Sequence, residues 1–222
     1  MAKKYVIGID EVGRGCLAGP VVVAALGVRK RSVFPAGIGE LRDSKKMTAG
    51  QRVKWADFIK REAKEGRVIA VVASVSAERI DKINVSRAAN EAAYRAFKKV
   101  VFLSGDIASV TLDGGLYLKN KRFQTAARIS PTGFSAKTVV RADGNRREVM
   151  LASVFAKVFR DRKMARLDRK FPGYGFADHK GYGTWAHIAA IKTLGILPKI
   201  HRETFLKAIL AEGDEPLQRN VG

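Results

Sequence analysis

The chain has 222 residues, 46% of them hydrophobic, which is enough apolar material to build a core without disulfides or structural metals. Its 42 lysines and arginines against 21 aspartates and glutamates give a net charge of +21, which favours nucleic acid as a partner but would suit a passive RNA binder as well as an enzyme. The single cysteine, Cys16, excludes an internal disulfide and favours a reducing, cytoplasmic setting, and we expect neither a signal peptide nor a membrane span.

In the first half of the chain, apolar runs alternate with helical patterns. Their continuous hydrophobicity predicts strands of a sheet that is covered on both faces. These strands are expected at 5–9, 20–26 and 67–75. Thr48 can cap a helix that reaches about Glu65, and a second long helix is expected to begin after Asn84 or Ser86. The apolar residues of this second helix recur at helical spacing, at Ala89, Ala92, Ala93, Ala96, Phe97 and Val100.

The second half of the chain continues this α/β pattern and then becomes helical. Two further strands are predicted at 108–112 and 137–142. Helices are predicted at 147–169, 184–194 and 202–211. We therefore expect a sheet domain at 1–170, a small helical C-terminal extension that binds substrate at 171–212, and a polar tail at 213–222.

Carboxylates stand where three of the predicted strands end. They are Asp10 with Glu11, Asp113, and Asp143. Sites in open α/β sheets gather at strand ends, and clustered carboxylates repel one another unless a cation neutralises them. Oxygen ligands of this kind select Mg²⁺ or Mn²⁺. Aspartate followed by glycine is also ordinary turn chemistry, so a turn explains Asp113 or Asp143 equally well when either is taken alone.

Four segments, in this order along the chain, resemble motifs of ribonuclease HII. The first reads IGIDEVGRG at 7–15 and continues at 17–22, and the second contains Asp43-Ser44-Lys45. The third is the Ala-Ser-x-x-Ala-Lys-Val pattern at 152–158, and the fourth contains the tyrosine motif at 179–184. The resemblance extends over about 5–206.

The resemblance implies a ribonuclease H-like fold with a five-stranded mixed sheet flanked by helices. It places the four metal-site acids of the family, which are also its catalytic residues, on Asp10, Glu11, Asp113 and Asp143. It implies that two Mg²⁺ or Mn²⁺ ions act during catalysis. The partners that it implies are RNA–DNA hybrids and duplex DNA with embedded ribonucleotides, cut on the 5′ side of the ribonucleotide to leave a 3′-hydroxyl and a 5′-phosphate.

The same resemblance assigns residues to substrate binding. Gly13, Arg14 and Gly15 would contact the ribonucleotide, and Tyr182 would stack on the following deoxyribose. Taken alone, the glycine-flanked arginine is a turn with a solvated side chain, and Tyr182 is a packing residue. Three further residues are candidates for phosphate contacts, although helix capping and a solvated face explain them equally well. These are Ser44, Lys45 and Lys46.

Two departures from the family pattern stand beside the acids. The third acid lies in Asp113-Gly114-Gly115, where the family has Asp-Gly-Asn, and Met150 lies in a stretch that is commonly Ile-Ser-Ala. Together with the net charge of +21, these departures keep open the hypothesis of a non-catalytic basic nucleic-acid-binding protein. A type 3 ribonuclease H, which has the same chemistry but needs RNA tracts, is a further alternative. We expect a monomer.

Overall fold

The computed structural model describes residues 4–29, 38–104, 106–118 and 135–211, so the predicted tail at 213–222 lies outside the described residues. Within these ranges, one sheet is formed by β1 (Tyr5–Val12), β2 (Val21–Arg29), β3 (Val68–Val75), β4 (Ile107–Asp113) and β5 (Ser135–Val139). The strand order is β3-β2-β1-β4-β5. Strand β2 is antiparallel to both of its neighbours, whereas β1, β4 and β5 are parallel. The predicted five-stranded mixed sheet is therefore confirmed.

Helices flank this sheet and follow it. They are α1 (Ala49–Lys64), α2 (Ala77–Ile83), α3 (Val85–Ser104), α4 (Arg147–Lys170), α5 (Phe176–His179), α6 (Trp185–Leu194) and α7 (Glu203–Ala211), with short 3₁₀ turns at Ser44–Lys46 and Ala142–Gly144. The Thr48 cap is confirmed, because its hydroxyl accepts from the backbone of Gln51 in a capping box. In the described parts of the chain, no helix is both long enough and apolar enough to cross a membrane.

Both faces of the sheet are covered, as the apolar runs predict. Along β2, Val21 and Val23 pack on the side of α3, whereas Val22 and Ala24 pack on the side of α1 and α4. The predicted apolar face of α3 is fully buried, and its small alanines let the helix approach the sheet closely. The division into a domain at 1–170 and an extension at 171–212 stays a prediction.

Several predicted strand boundaries differ from the structure, including the end of β2, which extends to Arg29, and two of the differences concern the acidic residues. Strand β1 does not end at residue 9, because its ladder with β2 continues through Asp10, Glu11 and Val12. Strand β5 ends at Val139, and Arg141 then adopts a left-handed backbone with φ of 55°. The chain leaves the sheet there because the Ala142 N–H donates to the side chain of Asp113 instead of to a strand.

Two short helices, α2 and α5, were not predicted. Helix α2 carries its own signal, because the side chain of Ser76 accepts from the backbone of Arg79 as an N-cap. It is separated from α3 by Asn84, whose φ of 64° breaks the helix. Helix α5 has four residues, too few for apolar periodicity to reveal.

Gly8 lets β1 and α4 pack in direct backbone contact. A Cβ at this position would overlap the backbone of Glu148 and Val149, atoms that cannot move out of the way. We expect Gly8→Ala to lower the free energy of unfolding by about 3 kcal/mol, measured by urea denaturation. Gly50→Ala is the control, because Gly50 lies in α1 with open space around it and should gain up to about 1 kcal/mol. Equal effects of the two substitutions would contradict this packing.

Candidate active site

The topology brings the four predicted acids to one edge of the sheet. Strands β1 and β4 are parallel, with Ile9 opposite Leu112, so the residues that follow in each strand, Asp10 and Asp113, lie at the same end of the sheet. Asp10 and Glu11 lie in the last part of β1, and Asp113 is the last residue of β4. Asp143 lies in the 3₁₀ turn after β5, the next strand along the sheet.

Asp113 also holds the turn that carries Asp143. Its Oδ1 accepts from the backbone N–H of Ala142 at 2.7 Å and from that of Asp143 at 3.3 Å. Aspartate–glycine turn chemistry is therefore part of the explanation for this residue, as the sequence allowed. The same carboxylate lies close enough to Asp10 and Glu11 to raise the pKa of both. Asp113 thus links the other three acids.

Asp10 and Glu11 project to opposite sides of β1, as successive residues of a strand do. Asp10 is 4% exposed and receives a hydrogen bond from Ser153 on α4. Glu11 accepts from Arg14 Nη1 at 3.1 Å through its Oε1. Among the described residues, the buried Oε2 of Glu11 has no hydrogen-bond partner. An unsatisfied buried carboxylate oxygen is costly unless something else neutralises it.

Both carboxyl groups of β1 resist ionisation. Burial raises the pKa of Asp10 well above its usual value, and the neighbouring charges of Glu11 and Asp113 raise it further. Burial likewise raises the pKa of Glu11 to about 7, although Arg14 opposes this effect. In each case the charged form is disfavoured by its surroundings, so a cation bound between these groups would relieve a real electrostatic cost.

The acids fit a hard divalent cation in chemistry, but they are not arranged as a finished ligand shell. Among the described residues, no three histidine, cysteine, aspartate or glutamate side chains lie close enough together to form a metal-binding group. Two of the acids are engaged by basic side chains instead: Glu11 by Arg14 at 3.1 Å and Asp143 by Lys45 at 3.3 Å. The Glu11 Oε2, which has no partner within the described ranges, and the raised pKa values nevertheless fit Mg²⁺ or Mn²⁺, which favour carboxylate oxygens.

The loop that follows β1 carries three of the predicted substrate-binding residues. Gly13 is buried with a φ of 91°, a backbone conformation that favours glycine, and Gly15 is exposed with open space around it. The Arg14 side chain turns towards the acids, donating to Glu11 and to the backbone carbonyl of Gly115 at 3.2 Å. A role of Arg14 in substrate contact stays a prediction.

Tyr182 lies beside this loop although it is far away in sequence. Cys16 and Tyr182 form an isolated antiparallel bridge, and Tyr182 is 41% exposed. Leu17 donates its backbone N–H to the carbonyl of Gly181 at 2.8 Å, which strengthens the same junction. The structure therefore brings the predicted tyrosine next to the glycine–arginine–glycine segment, leaving part of its side chain open to a ligand.

The three weaker candidates have different surroundings. Ser44 is buried, and its hydroxyl lies 2.8 Å from that of Ser153, which in turn bonds to Asp10. Lys45 pairs with Asp143, and Lys46 is exposed. The capping explanation applies to Asp43, whose side chain accepts from the backbone of Lys45. Phosphate contacts by these three candidates stay predictions.

The Gly115 departure has a structural consequence. Gly115 has a φ of 94°, and a Cβ there would overlap Nη1 of Arg14. The small residue therefore lets Arg14 reach both Glu11 and the Gly115 carbonyl. At the other departure, Val149 and Leu151 are fully buried, and Met150 between them is partly buried, so the start of α4 keeps its packing.

Gly115→Asn should push Arg14 away from Glu11 and raise the pKa of Glu11 further above about 7, because the Arg14 charge lowers that pKa. We expect half-maximal Mg²⁺ binding, measured by calorimetry, to move to higher pH. Gly66→Asn is the control, since Gly66 has a φ of 67° and open surroundings and carries the same backbone strain. An unchanged pH dependence in Gly115→Asn would contradict the link between Gly115 and Arg14.

Several residues that organise the site were not recognised from the sequence. Arg160 is one of seven basic residues between 157 and 170, a composition that favours a solvated surface, yet it is fully buried, and so is Arg202. His187 and His201 are also buried and lie together. No local pattern marks these residues, because their partners are backbone carbonyls and each other, from distant parts of the chain.

Comparison with known proteins gives one consistent family. The family model described as Ribonuclease HII matches residues 7–208. A ribonuclease HII of Fusobacterium nucleatum is 38% identical over 213 residues, which are 96% of this chain and 90% of that protein.

Two solved structures have the same fold. The first, the PCNA:RNase HII complex from Archaeoglobus fulgidus, aligns with a TM-score of 0.66 and 24% identity over 96% of this chain and 98% of that one. The second, Bst-RNase HIII in complex with Mn²⁺, aligns with a TM-score of 0.61 and 19% identity over 95% of this chain and 70% of that one.

Proposed function

Because the chain belongs to the ribonuclease HII family and is thus a ribonuclease H, we propose that it also incises duplex DNA on the 5′ side of an embedded ribonucleotide. The observation that carries this proposal is the bridge between Cys16 and Tyr182. It joins a candidate sugar-stacking tyrosine to the loop that directly follows Asp10 and Glu11. A ribonucleotide and the next deoxyribose could therefore be read within reach of the carboxylates.

Four carboxylates would hold the metal ions in this proposal: Asp10, Glu11, Asp113 and Asp143. When bound, two Mg²⁺ or Mn²⁺ ions supply the positive charge that activates water and stabilises the departing 3′ oxygen. Asp113 contributes twice, because it also positions the backbone of Asp143. The homologous Bst-RNase HIII was solved with Mn²⁺, which supports this class of ion. The proposed products carry a 3′-hydroxyl and a 5′-phosphate.

The large positive charge serves substrate binding in this scheme. A net charge of +21 favours attraction of a phosphate backbone, and this contribution weakens as salt concentration rises. The exposed Lys45 lies beside Asp143, where it can contact a phosphate near the carboxylates.

We further propose that the protein acts as a cytoplasmic monomer. Size-exclusion chromatography measures its oligomeric state.

The two rival functions are disfavoured by particular observations. A type 3 enzyme shares the fold, but the ribonuclease HII family model matches residues 7–208, and a type 2 relative is 38% identical over nearly the whole chain. A non-catalytic binder does not require a Glu11 whose buried oxygen, in the part of the chain that the structure describes, has no hydrogen-bond partner and lies beside two further carboxyl groups.

One incision assay separates all three functions. The substrates are a duplex with one ribonucleotide, a long RNA–DNA hybrid and an all-DNA duplex, each with Mg²⁺, Mn²⁺ or EDTA. We expect metal-dependent cutting of the first two, with product ends that a 3′-hydroxyl-requiring polymerase extends. Cutting of the hybrid alone would establish the type 3 function, and metal-independent binding without products would establish the passive binder.

A further inference from the structure

Arg202 is a fully buried arginine that bonds to the loop following β1. Its Nη2 donates to the carbonyl of Gly13 at 2.6 Å, and its Nη1 donates to that of Arg14 at 2.7 Å. Nε and Nη2 also donate to the carbonyl of Gly19, at 3.1 and 3.0 Å. Burial lowers the pKa of Arg202 to about 10, which still leaves it charged at neutral pH. A charged guanidinium with planar donors fixes several carbonyls at once.

His201, the preceding residue, leads to Tyr182 through a second histidine. The backbone N–H of Leu197 donates to His201 Nδ1 at 2.8 Å, so the proton of the neutral ring is on Nε2. That Nε2–H donates to Nε2 of His187 at 3.2 Å. His187 then donates from Nδ1 to the carbonyl of Tyr182 at 2.8 Å. Burial lowers the pKa of both histidines to about 4, so both rings are neutral at neutral pH, as this chain of bonds requires.

We propose that His201 and Arg202 are positioning residues that set the spacing between the two parts of the ribonucleotide reader. This inference rests on the proposed function. One part of the reader is the loop of Gly13 and Arg14, and the other is Tyr182. Since adjacent residues hold the two parts, a shift of one is transmitted to the other through a single peptide unit.

Close packing limits how far the loop after β1 and the Tyr182 segment can move relative to each other. A Cβ on Gly181 would come within 2.6 Å of the Ala18 carbonyl oxygen, so the tyrosine segment lies directly against the loop. Arg202 donates its own backbone N–H to Leu17 at 2.7 Å, and Gly19 donates to Ile200 at 2.8 Å. Residues 200–202 are therefore joined to the loop by backbone as well as by side chain. A misplaced reader should impair the recognition of a single ribonucleotide more than the chemistry of cleavage.

The first test replaces the guanidinium. Arg202→Lys keeps the charge but has one donor group in place of a planar fork, and Arg202→Met keeps the approximate length without a donor. For both variants, kcat/KM on a duplex with one ribonucleotide should fall at least about tenfold more than kcat/KM on a long hybrid. Most of the loss should appear in KM, because cleavage still depends on the unchanged carboxylates. Equal losses on the two substrates would overturn the proposal.

The second test substitutes His187, and it still decides the proposal if the Arg202 variants do not fold. Asparagine can place its amide near Nδ1 of a histidine, whereas glutamine places it near Nε2. His187→Asn can therefore keep the bond to the Tyr182 carbonyl, and His187→Gln loses it. We expect His187→Asn to retain preference for the single ribonucleotide within about threefold and His187→Gln to lose about tenfold of it. The reverse order, or no difference, would overturn the role of this bond.

The wild-type protein separates this inference from the proposed function. If wild type fails to incise the duplex with one ribonucleotide, the proposed function itself fails. If wild type incises that duplex and the Arg202→Lys and His187→Gln variants keep its substrate preference, only the positioning role fails. Thermal unfolding of each variant shows whether it is folded at the assay temperature.

Discussion

Asp10→Asn should abolish metal-dependent cleavage and, at the same time, stabilise the metal-free protein at neutral pH. The two effects have one cause, because the charge that would hold a metal ion is costly without one. Burial raises the pKa of Asp10, and the charges of Glu11 and Asp113 raise it further. Asparagine has nearly the same shape and no charge. We expect cleavage of either ribonucleotide-containing substrate to fall at least about a thousandfold.

The stability effect has a definite pH dependence. A carboxyl group whose pKa is raised on folding stabilises the protein below its unfolded pKa, and this contribution is lost as pH rises through the folded pKa. The unfolded value for Asp10 is near 3.8, and the folded value is well above it. The advantage of Asp10→Asn should therefore be small in acid and largest on the alkaline side. Urea unfolding of the metal-free proteins at several pH values measures it.

Asp57→Asn is the matched control for this experiment. Asp57 is exposed and pairs with Lys60 and Arg162, so its loss should change stability only slightly and should not change cleavage. Addition of Mg²⁺ should raise the melting temperature of wild type more than that of Asp10→Asn. Normal turnover by Asp10→Asn would contradict a metal role for Asp10, and a stability change no different from that of Asp57→Asn would contradict the cost of its buried charge.

The sequence predicts that the four acids meet at one edge of the sheet, but it does not predict the backbone pairing around them. Apolar runs show where strands lie, and parallel strands bring their carboxyl ends to one edge. Because charged residues are poor strand formers, the sequence nevertheless predicts that Asp10 and Glu11 lie outside β1. Their backbones stay in the ladder with β2 because pairing is determined by the partner strand as well as by side-chain propensity.

Long-range hydrogen bonds explain the remaining differences. Strand β5 is shorter than predicted because Asp113, far away in sequence, takes the Ala142 N–H. Seven other basic residues lie on α4, a composition typical of a solvated surface, so the sequence does not distinguish the buried Arg160 from them. Only the fold shows that three backbone carbonyls from distant parts of the chain accept hydrogen bonds from the Arg160 guanidinium. Polar burial of this kind has no periodicity that a sequence pattern could reveal.

Arg160→Met should be among the most destabilising substitutions in the protein. The Arg160 guanidinium donates to the carbonyl of Pro20 at 3.1 Å, to that of Ala18 at 3.0 Å and to that of Lys180 at 2.7 Å. It thus joins α4 to the segment before β2 and to the residues that precede Tyr182. Methionine fills a similar volume but donates to none of the three carbonyls.

The magnitude follows from two opposing contributions. Each buried carbonyl that loses its partner costs about 1–3 kcal/mol, whereas removal of a buried charge returns part of its desolvation cost. We expect a net loss of about 3 kcal/mol in the free energy of unfolding, measured by urea denaturation. Arg162→Met, on the same helix, removes an exposed ion pair with Asp57 and should cost at most about 1 kcal/mol. Similar stability losses in Arg160→Met and Arg162→Met would show that the buried bonds contribute little.

Arg160 also bonds to both sides of the predicted boundary at residue 171. Wild type should therefore unfold in a single transition, which Trp55 and Trp185 fluorescence should report equally in single-tryptophan variants. Separate transitions would show that the extension folds independently.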